Sequence, residues 1–230
     1  MSKRQPQTNG LAASGITEKL ANCIAGVRYE ALSPDVIRMA KVVTLDGIAN
    51  MLAGSTEPLG KILARYLSSM GGVPTASVIG TGFKTNPPMA AFANAAFCHS
   101  MDYEAMWWPP THPTSPVLPA LLALAEHEGL PGKRVLEALV VGFEVQGRLN
   151  LCADWYNDPY SYFHPPGTIG VIGSAAACSK LLGLDSRKSR MAIGIAASRT
   201  GGLWANTGTM TKSQHSANSA RSGAECALLA

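Results

Sequence analysis

Residues that start and stop helices recur along this chain, and between them apolar side chains return at helical spacing. Ser33-Pro34-Asp35 is the clearest start. It combines a capping hydroxyl, a proline in the first turn, where its missing N–H costs nothing, and an acid beside the positive helix end. The segment it opens carries Val36, Met39, Ala40, Val43, Leu45, Ile48 and Leu52, and Gly54 closes it. Ahead of it, Leu20, Cys23, Ile24 and Val27 form one apolar face over 16–29. Further helices are predicted over 59–67, over 89–103 behind Pro87-Pro88, over 116–127 stopped by Gly129, over 133–151, 167–182 and 186–198, and from 211 onward. Only 76–79, between glycine and proline, reads as a strand, too short to define a sheet. Asn157-Asp158-Pro159 marks a loop. Roughly eight or nine helices with short connections predict an all-α fold, a compact multi-helix domain over 15–230 behind a flexible tail over 1–14.

Composition sharpens this. Aromatic residues make up only 7% while alanine and glycine abound, which suits helices packed at close range. An apolar fraction of 47% against 15% charged excludes a disordered chain. The net charge of +4 is scattered, with no basic run beyond Lys3-Arg4, so nucleic acid is excluded as a partner. A few cations gathered in one pocket would still suit an anionic substrate. No apolar stretch reaches membrane-spanning length, and the polar first residues hold no signal-peptide core. Cys23, Cys98, Cys152, Cys178 and Cys226 are odd in number and form no C-x-x-C pair, so buried free thiols in a reducing compartment are expected. The cytoplasm fits, with the mitochondrion as the alternative in a eukaryote.

Three polar residues share one placement. His112 precedes Pro113 just ahead of a helix, His164 precedes Pro165-Pro166 at the opening of a Gly-rich helix, and Lys212 falls near the first turn of the last helix, three residues before His215. Helix starts carry unpaired N–H groups and partial positive charge, which attract anions and bias imidazoles toward the neutral, proton-accepting form. Singly, such residues are ordinary capping or solvated groups; three in one half of the chain raise the odds of a functional role, and spacing does not show that they converge. His99 and Asp102 read as an i, i+3 pair on one helix face, either a proton-exchanging group or a helix-end ion pair. Together with His112 they suggest a metal only weakly, since no H-E-x-x-H or Cys/His cluster accompanies them, and no metal is expected. Gly167, Gly170 and Gly173 follow His-Pro-Pro rather than a strand, so they read as helix-packing glycines rather than a nucleotide loop. Trp107-Trp108-Pro109-Pro110 predicts a rigid apolar wall. No Gly-x-Ser-x-Gly elbow is present, and hydrolase chemistry has little support.

The strings SVIGTGFKTNPPMAAFANAAFCHSMDYE (77–104), THPTSPVLPALLALAE (111–126), VGFEVQGRL (141–149), FHPPGTIGVIGSAAACSKLLGL (163–184) and TKSQHSANSARSGAECALLA (211–230) together resemble the MmgE/PrpD family. That resemblance implies a largely helical domain carrying a smaller α/β lid, a homodimer, and a lyase without metal or cofactor. Its reaction would be dehydration or decarboxylation of a di- or tricarboxylate such as 2-methylcitrate or cis-aconitate. It further implies catalytic roles for Asp102, His112, His164 and Lys212, and substrate contacts from Lys212, His215 and Thr111. The string Glu144-Val145-Gln146-Gly147-Arg148 looks like the decarboxylase branch. Two departures stand out. Where relatives carry an acid and a hydroxyl, this chain has Ala105 and Met106. The lid, which brings another lysine and a tyrosine, has no counterpart in these 230 residues. With no stop signal before Ala230, the helical domain is expected to be incomplete at that end, and a separate lid-bearing chain becomes a conceivable partner. Two other readings compete: an epimerase or racemase of a related carboxylate, and a catalytically incomplete half that dimerises or binds.

Overall fold

The computed structural model describes residues 15–153 and 162–230. The expected tail over 1–14 and the Asn157-Asp158-Pro159 loop lie outside the described residues. Nine α-helices occur among those described: α1 (Ile16–Gly26), α2 (Pro34–Gly54), α3 (Pro58–Met70), α4 (Pro87–Cys98), α5 (Thr114–Glu128), α6 (Gly132–Ala153), α7 (Pro165–Leu181), α8 (Ser186–Ala197) and α9 (Thr211–Leu229). Two 3-10 turns, Tyr29–Ala31 and Trp204–Asn206, join them. One antiparallel pair, β1 (Ala76–Val78) with β2 (Phe83–Thr85), sets Ala76 against Thr85 and Val78 against Phe83. The fold is all-α. None of the described helices is long and apolar enough to cross a membrane.

Local chemistry explains the helix starts. Ser33 Oγ accepts from Val36 N at 3.3 Å, Asn86 Oδ1 from Met89 N at 3.1 Å and Asp185 Oδ1 from Lys188 N at 2.8 Å. Each such cap contributes about 1 kcal/mol. Prolines fill the first turn of α2, α3, α4 and α7.

The interior is built from α4, α5, α7 and α9. Ala90, Ala91, Ala93, Ala95 and Ala96 of α4 are buried, and α7 is buried along nearly its whole length. Helices lacking bulky side chains approach closely. A Cβ added at Gly173 would lie 2.9 Å from Gln146 Cβ, and one at Gly223 would lie 2.2 Å from Ser174 Oγ and 2.8 Å from its carbonyl carbon. The glycine spacing of α7 therefore serves packing against α6 and α9.

Several expectations need correction. The helix behind Pro87-Pro88 stops at Cys98 rather than 103, because the next residues turn to meet partners far along the chain. His99 and Asp102 thus share no helix face; Asp102 sits in the left-handed region at φ 59°. The first helix ends at Gly26, short of 29. On α2, the buried face runs through Ala40, Val43, Gly47 and Met51, leaving Leu45 71% exposed. Cys98, Cys178 and Cys226 are buried free thiols, whereas Cys23 and Cys152 are exposed.

Candidate active site

The loop between α4 and α5 folds polar groups inward. His99 caps α4, Glu104 turns back into the interior, and a two-way bridge between Trp107 and Thr111 (N···O 2.8 and 3.3 Å) leads into His112 and α5. On the opposite side, His164 is the N-cap residue of α7, and its N–H donates to Gly202 O at 2.9 Å. Lys212 lies in the first turn of α9, with His215 on the next turn. Ser213 Oγ donates to His99 O at 3.4 Å, Ser219 Oγ to Pro166 O at 2.7 Å and Ser115 Oγ to Ser216 Oγ at 3.0 Å, tying α9 to the other elements of the site.

The fold brings the expected residues together. Lys212 Nζ donates to Asp102 Oδ2, and His112 Nε2 lies 3.6 Å from Asp102 Oδ1. His215 Nδ1 meets His164 Nδ1 at 3.1 Å. Four imidazoles run in a row, with ring centroids 5.0 Å apart from His112 to His99, 5.6 Å from His99 to His164, and 5.2 Å from His164 to His215. Trp204 leans on His164 at 5.9 Å. A cavity of about 370 Å³ opens beside His99, Asp102, Met210, Lys212 and Ser213.

Glu104 and His99 were the residues whose weight sequence reasoning missed. Both side chains are fully buried, with His99 Nδ1 2.5 Å from Glu104 Oε1. The same carboxylate oxygen lies 3.5 Å from His112 Nδ1, so Glu104 sits between two imidazoles. The available signal was an acid two residues beyond Asp102. Thr111, expected at the substrate, is 2% exposed, and its hydroxyl accepts from Gln146. Of the two departures, Ala105 is half-buried against the core and Met106 is 61% exposed.

Electrostatics divides the cluster. Burial disfavours ionised Asp102, but the Lys212 ammonium, with His99 and His112, outweighs it and holds the carboxyl below its usual range. Glu104 is likewise held low: burial opposes the charge, and the His99 hydrogen bond overcomes it. Burial lowers His112, with Glu104 and Asp102 pulling the other way. His164 has no such counterweight; burial and then the positive fields of His99, His215 and Lys212 push it down to about 2. His215 is lowered too, chiefly by burial.

Ligand atoms of His99, Asp102, Glu104 and His112 lie within 4.8 Å of one another, close enough to share a small cation. Lys212 already engages Asp102, however, and its ammonium opposes a second positive charge there.

The family model of the MmgE/PrpD N-terminal domain matches residues 18–230. The chain belongs to the MmgE/PrpD family. Its relatives include the cis-aconitate decarboxylases of Homo sapiens, 41% identical over 222 residues, and of Mus musculus, 40% identical over 223. Each alignment covers 94% of this chain. The cis-aconitate decarboxylase of Aspergillus terreus is 32% identical over 242 residues, covering all of it. The chain spans about half the length of these curated relatives, 46%, 45% and 48% respectively. What it carries is thus the N-terminal helical domain of the MmgE/PrpD fold, with the polar cluster at its centre.

Proposed function

We propose that this chain forms the helical floor of a lyase site that decarboxylates a small tricarboxylate of the cis-aconitate type. The observation that carries the reading is the junction of Lys212, Asp102 and His112 with the His164–His215 pair at the starts of α5, α7 and α9. The relatives named for cis-aconitate decarboxylation support the choice of reaction. In that reaction a carbon–carbon bond breaks, CO₂ leaves, its electron pair spreads into the remaining conjugated carboxylate, and a proton then reaches carbon. Lys212 and the helix starts hold carboxylates and stabilise the developing charge. His112, with its two ring nitrogens 3.6 Å from Asp102 Oδ1 and 3.5 Å from Glu104 Oε1, is placed to pass a proton to the substrate carbon. His164, uncharged near neutrality, suits accepting a hydrogen bond or a proton.

A homodimer and a lid, on the same polypeptide or on a separate chain, belong to the same proposal. The test uses the protein together with a lid-bearing segment, incubated with cis-aconitate and with 2-methylcitrate, and follows CO₂ and products by NMR. Release of CO₂ from cis-aconitate is expected. Loss of water without CO₂, or deuterium exchange into an otherwise unchanged substrate, would replace it with a dehydratase or an epimerase.

A further inference from the structure

We propose that Gln146 is a positioning residue for His112, acting from the middle of α6 on the segment that carries the imidazole; this rests on His112 belonging to the reactive site. Gln146 is fully buried. Its Nε2 donates to Thr111 Oγ1 at 3.0 Å and to His112 O at 3.2 Å, so both amide hydrogens go to two consecutive residues 35 and 34 positions upstream. The segment they hold has no helix or sheet of its own. The Trp107–Thr111 bridge closes it, and α6 anchors it at two further points. Asn150 Nδ2 donates to Pro109 O at 2.7 Å. The indole of Trp107 lies on bare Gly147, where an added Cβ would stand 2.5 Å from Cε2. Gln146, Gly147 and Asn150 thus form one gripping face.

The anchor itself is closely packed. Gly173 of α7 brings its backbone so close that an added Cβ would stand 2.9 Å from Gln146 Cβ, which leaves the glutamine no other place to go. Were filling that space the only requirement, an apolar side chain of the same length would serve at lower desolvation cost. The amide instead bonds the carbonyl of the very residue whose ring must lie 3.6 Å from Asp102 and 3.5 Å from Glu104. Reactive geometry tolerates little drift, and a shift of about 1 Å costs up to roughly 100-fold in rate.

Gln146→Met keeps length and volume and removes both donors. In the lid-bearing enzyme, kcat should fall by about 10- to 100-fold with KM nearly unchanged, and the ring signals of His112 should move in ligand-free NMR spectra. Gln146→Glu should behave alike, because a carboxylate has no hydrogen for the His112 carbonyl. Thr111→Val, which removes one of the two bonds, should give a smaller loss of the same kind and carries the test if the Gln146 variants fail to fold. Wild-type kcat with unmoved His112 signals would overturn the proposal, as would a raised KM at constant kcat. The NMR arm needs no substrate, so moved His112 signals support the positioning role even if no tricarboxylate is turned over.

Discussion

The two halves of the imidazole row live in opposite electrostatic settings. On one side His99 and His112 face Glu104 and Asp102, so negative charge is built into the wall around them. On the other, His164 and His215 meet each other, and cationic neighbours oppose their charging. The asymmetry gives the cluster two surfaces: a His164–His215 side with no carboxylate against it among the described residues, and a His99–His112 side walled by carboxyls held below their usual range. Lys212 joins the halves, with its ammonium on Asp102 and its field felt at His164.

Replacing His164 with alanine breaks the carboxylate-free side directly. Turnover in the lid-bearing enzyme should drop by about 1,000-fold, in the range that acid–base groups contribute. Near-normal turnover would remove His164 from the chemistry and leave the comparison without one of its terms. Glu104→Gln attacks the other side. His99 would lose the only anion within hydrogen-bonding distance of it among the described residues, and stripping one member from a buried pair costs about 3 kcal/mol. Urea unfolding at neutral pH measures that loss; a change smaller than experimental scatter would show that the carboxylate is not ionised there. The subtlest effect is on pH dependence. His164 binds a proton in the fold only near pH 2, while the unfolded chain binds one near 6.5. Below about 6.5 the unfolded state therefore holds the extra proton, and stability should fall with acidification by about 1.4 kcal/mol per pH unit from this group. His112 and His215, also lowered, add to the slope in the same direction. His164→Gln should flatten it by roughly one proton's worth, and an unchanged slope would mean that His164 titrates alike folded and unfolded.

Where the helices begin was written in short-range chemistry, and short-range reading found it. Ser33-Pro34-Asp35, Pro87-Pro88 and His164-Pro165 all open helices, because caps and first-turn prolines act within a few residues. The end of α4 was not legible. Ala-rich sequence carries no stop signal, and the residues after Cys98 are held by tertiary contacts: Ser213 on the His99 carbonyl, and Lys212 and His112 on Asp102. The same reason hid Glu104: an acid in a loop looks solvated until the fold closes over it. Convergence of Asp102, His112, His164 and Lys212 followed from the family resemblance, since spacing alone says nothing about distances across a bundle. Gln146 stood in a recognised string without a role, because its partners lie 34 and 35 residues away.

The contact between Gly223 of α9 and Ser174 of α7 has a consequence for how such a site diversifies. These helices meet almost backbone to backbone, so the gap between their starts, where His164 and Lys212 stand, is not set by side chains that mutation readily trades. Substitutions in the helix interface mostly break the protein rather than retune it. Among the described residues, the irregular stretches beside the cluster are 99–112 and 199–210, and the Ala105-Met106 departure falls in the first of them.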